Sequence, residues 1–140
     1  MKSIEPASFL NLDLELESKS DLSSLAEFLG SRNHVLFDGR VPQGYRLHIE
    51  PLILGTLNGS VRKCTDHFLK LLESMPPEIL PIWQSCKSRT FDYGFDGGAE
   101  SSPLAVLLTS AQISRIAQFG LSIRVTIYPH RTDEPQVEAP

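Results

Sequence analysis

The chain has 140 residues, of which 41% are apolar and 21% charged, and its formal net charge is −4. This composition is typical of one globular domain, and the acidic excess without a lysine or arginine cluster argues against a nucleic-acid-binding protein. No apolar run is long enough to span a membrane, and the first residues lack the apolar stretch of a secretory signal. We therefore expect a cytoplasmic protein with no membrane contact.

The first part of the sequence predicts a strand, a helix and a hairpin. Residues 9–17 alternate between apolar and polar side chains, which is typical of a strand with one buried face. Apolar residues at helical spacing follow, with Ser20 as the expected N-cap and Gly30 as the expected end. Residues 34–41 and 45–51 predict two strands joined by a turn that contains proline and glycine. The polar positions of the first and third strands are Asn11, Asp13, Glu15, Glu17, Arg46, His48 and Glu50.

Two helices are predicted in the middle of the chain. Ser60 is the expected N-cap of an amphipathic helix that stops before Pro76, because proline lacks a backbone donor and clashes with the preceding turn. A shorter helix is predicted over residues 78–87. Cys64 and Cys86 lie among apolar residues of these helices, and their spacing fits neither a zinc site nor a CxxC redox pair. We expect two buried free thiols.

A strand and a capped helix follow. Residues 90–96 alternate, with three aromatic side chains predicted to point inward and with Asp92 and Asp96 predicted to point outward. Thr109 and Gln112 match a capping box at the start of a helix. The side chains that this helix is expected to direct into the core are Ile113, Ile116 and Ala117.

The last predicted element is a strand over residues 121–128. Ile123, Val125 and Ile127 are expected to point inward, and Arg124 outward. The polar, proline-containing residues 129–140 predict a disordered tail, so that a single domain covers residues 1–128.

The predicted order is β-α-β-β-α-β-α-β. Each predicted strand with alternating residues has one apolar and one polar face, whereas a sheet covered on both sides would have continuously apolar strands. The pattern therefore predicts an α+β fold: a two-layer sandwich with a mostly antiparallel sheet and helices packed on one face.

The uncovered face of that sheet is the candidate site. Its charged residues are Asp13, Glu15, Glu17, Arg46, His48, Glu50, Asp92, Asp96 and Arg124. One interpretation is a solvated sheet surface whose charges discourage edge pairing. A second is a docking surface for a basic protein, because clustered like charge accelerates association. A third is a catalytic site built from carboxylates.

The stretch RTFDYGFDGG, residues 89–98, has two aspartates, three aromatic residues and three glycines within ten residues and is therefore a candidate metal loop or catalytic pair. Its aspartates do not have the spacing of a calcium loop. On a strand, Asp92 and Asp96 lie roughly 13 Å apart, too far for a glycosidase pair. The sequence also contains no phosphate-binding glycine loop, no HExxH pair and no G-x-S-x-G elbow. We predict no catalytic residue, no cofactor and no metal ligand.

Several segments together resemble a known family. They are the helix ending in Leu29-Gly30, the loop with Gly39, the strand FDYGF, and above all LLTSAQISRIAQFGLSIRVTIY, residues 107–128. The chain resembles, over residues 9–128, a bacterial family of small α+β domains of unknown function whose immunity-protein-like members are found beside polymorphic toxins.

The resemblance implies a cytoplasmic binding protein that neutralises a cognate basic toxin by direct contact, through the acidic sheet face or an adjacent loop. It carries over no catalytic residue. The alternative function is a small-molecule-binding or sensing module with a pocket near Trp83 and Tyr93. An enzyme is the least favoured interpretation, and the sequence does not predict the oligomeric state.

Overall fold

The computed structural model describes residues 5–52, 60–99 and 102–130. Within these residues the chain forms five strands and four helices. The strands are β1 (Ser8–Ser18), β2 (Asn33–Val41), β3 (Gly44–Pro51), β4 (Ser88–Asp96) and β5 (Ser122–Tyr128). The helices are α1 (Ser23–Gly30), α2 (Val61–Glu73), α3 (Leu80–Ser85) and α4 (Ser110–Gln118).

All five strands belong to one sheet with the order β2-β3-β1-β4-β5. The pairs β2–β3, β3–β1 and β1–β4 are antiparallel, and β4–β5 is parallel. The protein is an α+β sandwich with a mostly antiparallel sheet, as predicted. Helix α3 is the short helix predicted over residues 78–87. The predicted order of elements did not count it separately.

The core lies between one face of the sheet and the helices. Buried side chains of the three central strands form its floor: Leu12, Leu14, Leu16, Leu47, Ile49, Phe91, Tyr93 and Phe95. The helices cover them with Leu25, Leu29, Phe68, Leu72, Trp83 and Ile116. The rings of Phe68 and Phe91 meet with centroids 5.6 Å apart, so α2 packs directly on β4.

Two of the three predicted helix starts are confirmed. Ser60 Oγ accepts the N–H of Lys63 at 3.1 Å at the start of α2. At α4, Thr109 Oγ1 accepts the N–H of Gln112 and Gln112 Oε1 accepts the N–H of Thr109, both at 3.1 Å. These reciprocal bonds satisfy amide donors that a helix terminus leaves unpaired.

The predicted start of α1 is wrong, whereas the helix ends at Gly30 as predicted, although without the expected glycine cap. Ser20 does not cap the helix, since the N-cap position is Leu22, and the N–H of Ser20 donates at 3.0 Å to Ser18 Oγ at the end of β1. The helix begins three residues later, at Ser23, whose N–H donates to Asp21 Oδ1 at 2.7 Å. Gly30 belongs to the helix and has no positive φ, and the C-cap is Ser31 in a right-handed conformation.

The burial predicted for α4 is wrong at two positions. Ile116 is buried, but Ile113 is 50% exposed and Ala117 is also exposed. The polar Gln112 is buried instead, where its Nε2 donates to Arg62 O at 3.1 Å and to Asp66 Oδ1 at 2.9 Å. Because Gln112 bonds to α2, the face of α4 that holds Gln112 and Ile116 packs inward. Ile113 therefore lies on the solvent side of the helix.

Strand β5 has the predicted faces but not the predicted burial. Ile123, Val125 and Ile127 pair with Phe91, Tyr93 and Phe95 of β4 and therefore point toward the helix side. They are nevertheless 45%, 58% and 69% exposed. The reason is that the helices cover β3, β1 and β4 and do not extend over the outermost strand.

The predicted tail and the segment between β4 and α4 are only partly described. Residues 131–140 and 100–101 lie outside the described residues. Pro129 and His130 are described, and His130 Nδ1 lies 3.1 Å from Asp96 Oδ1 at the end of β4. The apolar run over residues 104–108 forms neither helix nor strand.

Candidate partner-binding surface

The nine charged residues predicted to share a surface do so. We call this surface the carboxylate face: Asp13, Glu15, Glu17, Arg46, His48, Glu50, Asp92, Asp96 and Arg124. The strand register brings the residues together, since Glu15 pairs with His48, Glu17 with Arg46, and Asp92 with both Asp13 and Arg124. The described helices lie on the opposite side of the sheet, so this face is uncovered within the described part of the chain.

On the β1–β3 side of the carboxylate face, each carboxylate has a partner one strand away. Arg46 Nη2 contacts Glu17 Oε1 at 3.1 Å, and His48 Nε2 contacts Asp13 Oδ2 at 3.0 Å. The amide of Asn11 donates to Glu50 Oε2 at 2.5 Å and to Asp13 Oδ1 at 3.1 Å. These contacts fix the direction in which the carboxylates point.

On the β4–β5 side, Arg124 joins three strands. Its Nη2 contacts Glu15 of β1 and lies 3.1 Å from Asp92 Oδ2 of β4. Thr126 Oγ1 donates to Asp92 Oδ1 at 2.8 Å. Asp92 also lies directly opposite Asp13, and like charges in that position destabilise a sheet. The guanidinium of Arg124 and the imidazole of His48 offset this repulsion.

Asp96 closes the end of the carboxylate face. Its Oδ1 accepts the N–H of Gly98 at 2.8 Å and lies 3.1 Å from His130 Nδ1. His130 was assigned to the tail by sequence and was not predicted to contribute. No sequence pattern marks it, because its position depends on where β5 ends next to β4.

His48 is the titratable group that this surface perturbs. Its hydrogen bond to Asp13 raises its pKa above the ordinary value, with the charges of Asp13, Glu15 and Glu50 acting in the same direction and partial burial opposing them. The imidazole therefore carries a positive charge over a wider pH range than a free histidine does.

The net charge of the carboxylate face is strongly negative. Six carboxylates against two guanidinium groups leave four negative charges, and protonation of His48 reduces these to three. The side chains of the two arginines, at 42% for Arg46 and 49% for Arg124, are more exposed than those of their partners Glu17, at 31%, and Asp92, at 13%. A partner would therefore meet two exposed arginines above a layer of fixed, half-buried carboxylates.

The pocket expected near Trp83 and Tyr93 does not include both residues. Trp83 lines an open groove of about 310 Å³ between α3 and α4, together with Arg89 and Phe119. Tyr93 is buried elsewhere in the core, where its hydroxyl bonds Thr65 Oγ1 at 2.8 Å and burial raises its pKa to about 12.

The cation that lines this groove is the guanidinium of Arg89, which already donates hydrogen bonds to the protein backbone. The Arg89 guanidinium donates to the carbonyls of Trp83 and Cys86 at 3.0 Å each, and to that of Gly120 at 3.4 Å. A ligand pocket needs a few polar groups that are directed at the ligand. The geometry therefore favours a structural role for Arg89 and does not support the small-molecule interpretation.

Both cysteines are buried thiols outside any disulfide, as predicted. Burial raises the pKa of each thiol to about 11, so neither is a reactive thiolate at neutral pH. Over residues 5–52, 60–99 and 102–130, no group of three or more histidine, cysteine, aspartate or glutamate side chains could hold a metal ion.

Comparison with known proteins adds no relative. No family model, no curated protein and no solved structure matches the chain.

Among the described helices, none has the length and apolar character needed to cross a membrane.

Proposed function

We propose that the protein is a cytoplasmic binding protein that engages a basic protein partner through the carboxylate face. The observation that supports this most directly is the charge of that face, with four negative charges on one uncovered side of the sheet. Such a field raises the rate at which a positively charged partner arrives and disfavours acidic competitors.

The hydrogen bonds within the carboxylate face support the same function. Asn11, His48 and Arg124 hold the carboxylates in place in the free protein. A preorganised surface loses less side-chain entropy on binding than one whose charged groups must first be ordered.

The most specific form of this proposal is an immunity-type protein whose partner is a cognate basic toxin, neutralised by direct contact that occludes its active surface. The sequence resemblance supports the toxin, and the acidic surface supports the wider class of basic protein partners. The charge test below addresses the wider class.

The test is the salt dependence of association with a partner isolated by using the whole chain as bait. We expect kon to fall by about tenfold or more as ionic strength rises from about 0.05 to 0.5 M, because screening shortens the reach of the field. The double variant Glu17→Gln with Glu50→Gln should lower kon at low salt. The matched control, Glu27→Gln with Glu78→Gln, removes the same charge from exposed positions outside the sheet.

Equal effects of the two double variants would show that only overall charge matters and that the carboxylate face is not the docking surface. A kon that is insensitive to salt would reject electrostatic steering altogether. Circular dichroism and a thermal melt of each variant verify that the fold is retained.

A further inference from the structure

Strand β5 is an edge of the sheet, with β4 on one side and no described strand on the other. Its inward row, Ile123, Val125 and Ile127, is uncovered. Next to this row, Leu104 and Val106 line an apolar groove of about 260 Å³ together with Val125 and Ile127. We call these five side chains the β5 apolar surface.

The backbone of β5 has hydrogen-bonding groups that point away from β4. The carbonyl of Tyr128 accepts the N–H of Gly97, so Tyr128 directs its backbone groups toward β4. In a parallel pair, alternate residues bond the neighbouring strand and the others face the opposite side. The N–H and C=O groups of Ile123, Val125 and Ile127 therefore point to the free edge. The same three residues carry the uncovered apolar side chains.

Within residues 5–52, 60–99 and 102–130, the edge of β5 lacks the common protective features. Edge strands are commonly blocked by lysine, by proline, by a bulge or by an inward-pointing charge. Strand β5 contains no lysine and no proline, and its register with β4 has no shift. Its one charged residue, Arg124, lies on the other face and is bound by Glu15 and Asp92. Pro129 ends the strand, which limits the open edge to seven residues.

We propose that β5 pairs with β5 of a second copy of this chain, antiparallel, about a two-fold axis through Val125. In that register Val125 lies opposite Val125 of the other copy, and Ile123 lies opposite Ile127. Each of these residues exchanges both backbone hydrogen bonds with its counterpart, so all the outward-pointing groups of the edge are satisfied.

The charge pattern of the strand fits a second copy better than an unrelated acidic or basic partner. The row at the edge contains no ionisable side chain. On the other face the two-fold places Arg124 opposite Thr126 and Ser122 opposite Tyr128, so no like charges stand directly opposite each other. Although each copy carries a net charge of −4, the surface that joins the copies is uncharged.

The exposed area is also of a suitable size. The β5 apolar surface exposes on the order of 450 Å², within the range of functional patches on soluble proteins. One side of a standard interface buries about 800 Å², of which the strand backbone supplies part. The area is at the low end for a stable dimer, and we expect a dissociation constant in the micromolar range.

The axis of this dimer is perpendicular to the sheet. Both helix layers therefore lie on one side, and both carboxylate faces lie on the other as one continuous surface of ten strands. The proposal does not depend on the partner-binding function, because it rests on different residues and can be tested on the isolated protein.

The first test is sedimentation velocity of the whole chain from about 1 to 200 μM, the range in which a micromolar dimer assembles. The wild type should shift from monomer to dimer. Val125→Lys places two like charges next to the two-fold axis and should raise the dissociation constant by about tenfold or more. Leu36→Lys is the matched control, since Leu36 is also an exposed apolar residue of an edge strand, at 49%, and should leave the dimer intact.

The second test avoids a polar substitution. Residues in a hydrogen-bonded antiparallel pair have Cα atoms about 5.5 Å apart, a distance that a disulfide can span. Val125→Cys should therefore form a covalent dimer under mild oxidation. Ile113→Cys, at an equally exposed position on α4, should not. The native thiols of Cys64 and Cys86 are buried and should not compete.

Concentration-dependent dimerisation that Val125→Lys abolishes, together with cross-linking of Val125→Cys alone, would support the proposal. A wild type that stays monomeric at about 200 μM, with no cross-linking of Val125→Cys, would overturn it. A dimer that survives Val125→Lys but is lost in Leu36→Lys would overturn it too, because association would then occur through β2.

Discussion

The two edges of the sheet differ in how they are protected from pairing. Strand β2 has a register shift between Val35 and Phe37, and it carries the charged residues Asp38 and Arg40. A bulge bends and twists a strand, so β2 presents a poor template for another chain. Strand β5 has no register shift with β4, and its one charged residue, Arg124, is bound by a carboxylate of β4. Exposed apolar residues occur at both edges, but only at β5 do they coincide with a regular free backbone.

This contrast indicates that exposed hydrophobic area alone does not identify an interaction surface. Val35, Leu36 and Phe37 are 42–49% exposed, comparable with Ile123. The difference lies in backbone regularity and in the placement of charge. The same substitution made at matched positions of β2 and β5 can therefore show how much each edge contributes to the free energy of unfolding.

The largest expected effect concerns the turn that leads into β5. Gly120 has a φ of +67°, and an added Cβ would lie 2.7 Å from Arg89 Nη2. Gly120→Ala should therefore lower the free energy of unfolding by about 2 kcal/mol, measured by urea denaturation.

The control for this turn is Gly39→Ala on β2. Gly39 has no positive φ, and its added Cβ would make an ordinary 3.4 Å contact with Phe37. We expect a change of about 0.5 kcal/mol or less. Equal losses of unfolding free energy at the two positions would show that the positive φ of Gly120 is not the reason for the loss.

A smaller effect is expected when the cation of β5 is removed. Arg124→Gln leaves Glu15 and Asp92 without their shared partner and restores the repulsion between Asp92 and Asp13. Because Arg124 is 49% exposed, solvent screens the loss, and we expect a decrease of about 1.5 kcal/mol in the free energy of unfolding.

The matched variant on the other edge is Arg40→Gln. Arg40 is exposed and lies 5.7 Å from the centre of the Tyr45 ring, so we expect a loss of about 0.5 kcal/mol or less. The difference between the two arginines should shrink in about 1 M salt. If it does not shrink, Arg124 stabilises the sheet by packing and not by charge.

The smallest effect is the pH dependence contributed by His48, one strand in from the β2 edge. Its pKa is raised in the folded state, so the stability it contributes is fully present below the unfolded value near 6.5 and is lost as pH rises through the folded pKa. Wild type should exceed His48→Gln by roughly 0.5 kcal/mol more at pH 6 than at pH 8, measured by urea denaturation.

His67 provides a control of opposite sign. Burial lowers its pKa, helped by the charge of Arg32. The unfolded chain then binds the proton more readily, so His67 costs stability as pH falls below about 6.5. His67→Gln should therefore flatten the acid side of the stability profile. The same pH slope in both variants would show that other groups dominate this range.

The sequence was sufficient for the faces of the strands because alternation is a local property. The leucines of β1 and the aromatic residues of β4 could be assigned to the core, and the nine residues of the carboxylate face to the opposite side. Strand pairing is not local. That β5 lies parallel to β4, and that Arg124 therefore reaches Asp92 and Glu15, depends on contacts between residues far apart in the chain.

The errors have the same origin. Ile123, Val125 and Ile127 have an inward-facing pattern, but their burial depends on how far the helix layer extends. The orientation of α4 depends on hydrogen bonds of Gln112 to α2, and a glutamine gives no apolar signal. The start of α1 differs from the prediction because Asp21, and not Ser20, accepts the first N–H of the helix, that of Ser23.

The central position of β1 has a consequence for synthesis on the ribosome. Strand β1 precedes both of its neighbours in the chain, and β4 (Ser88–Asp96) begins 70 residues after β1 (Ser8–Ser18) ends. The backbone edge of β1 that pairs with β4 stays unpaired until β4 has been made, whereas the β2–β3 hairpin can form locally. While the residues between β1 and β4 are being made, the nascent chain thus carries a strand edge whose backbone groups are open to pairing with another chain.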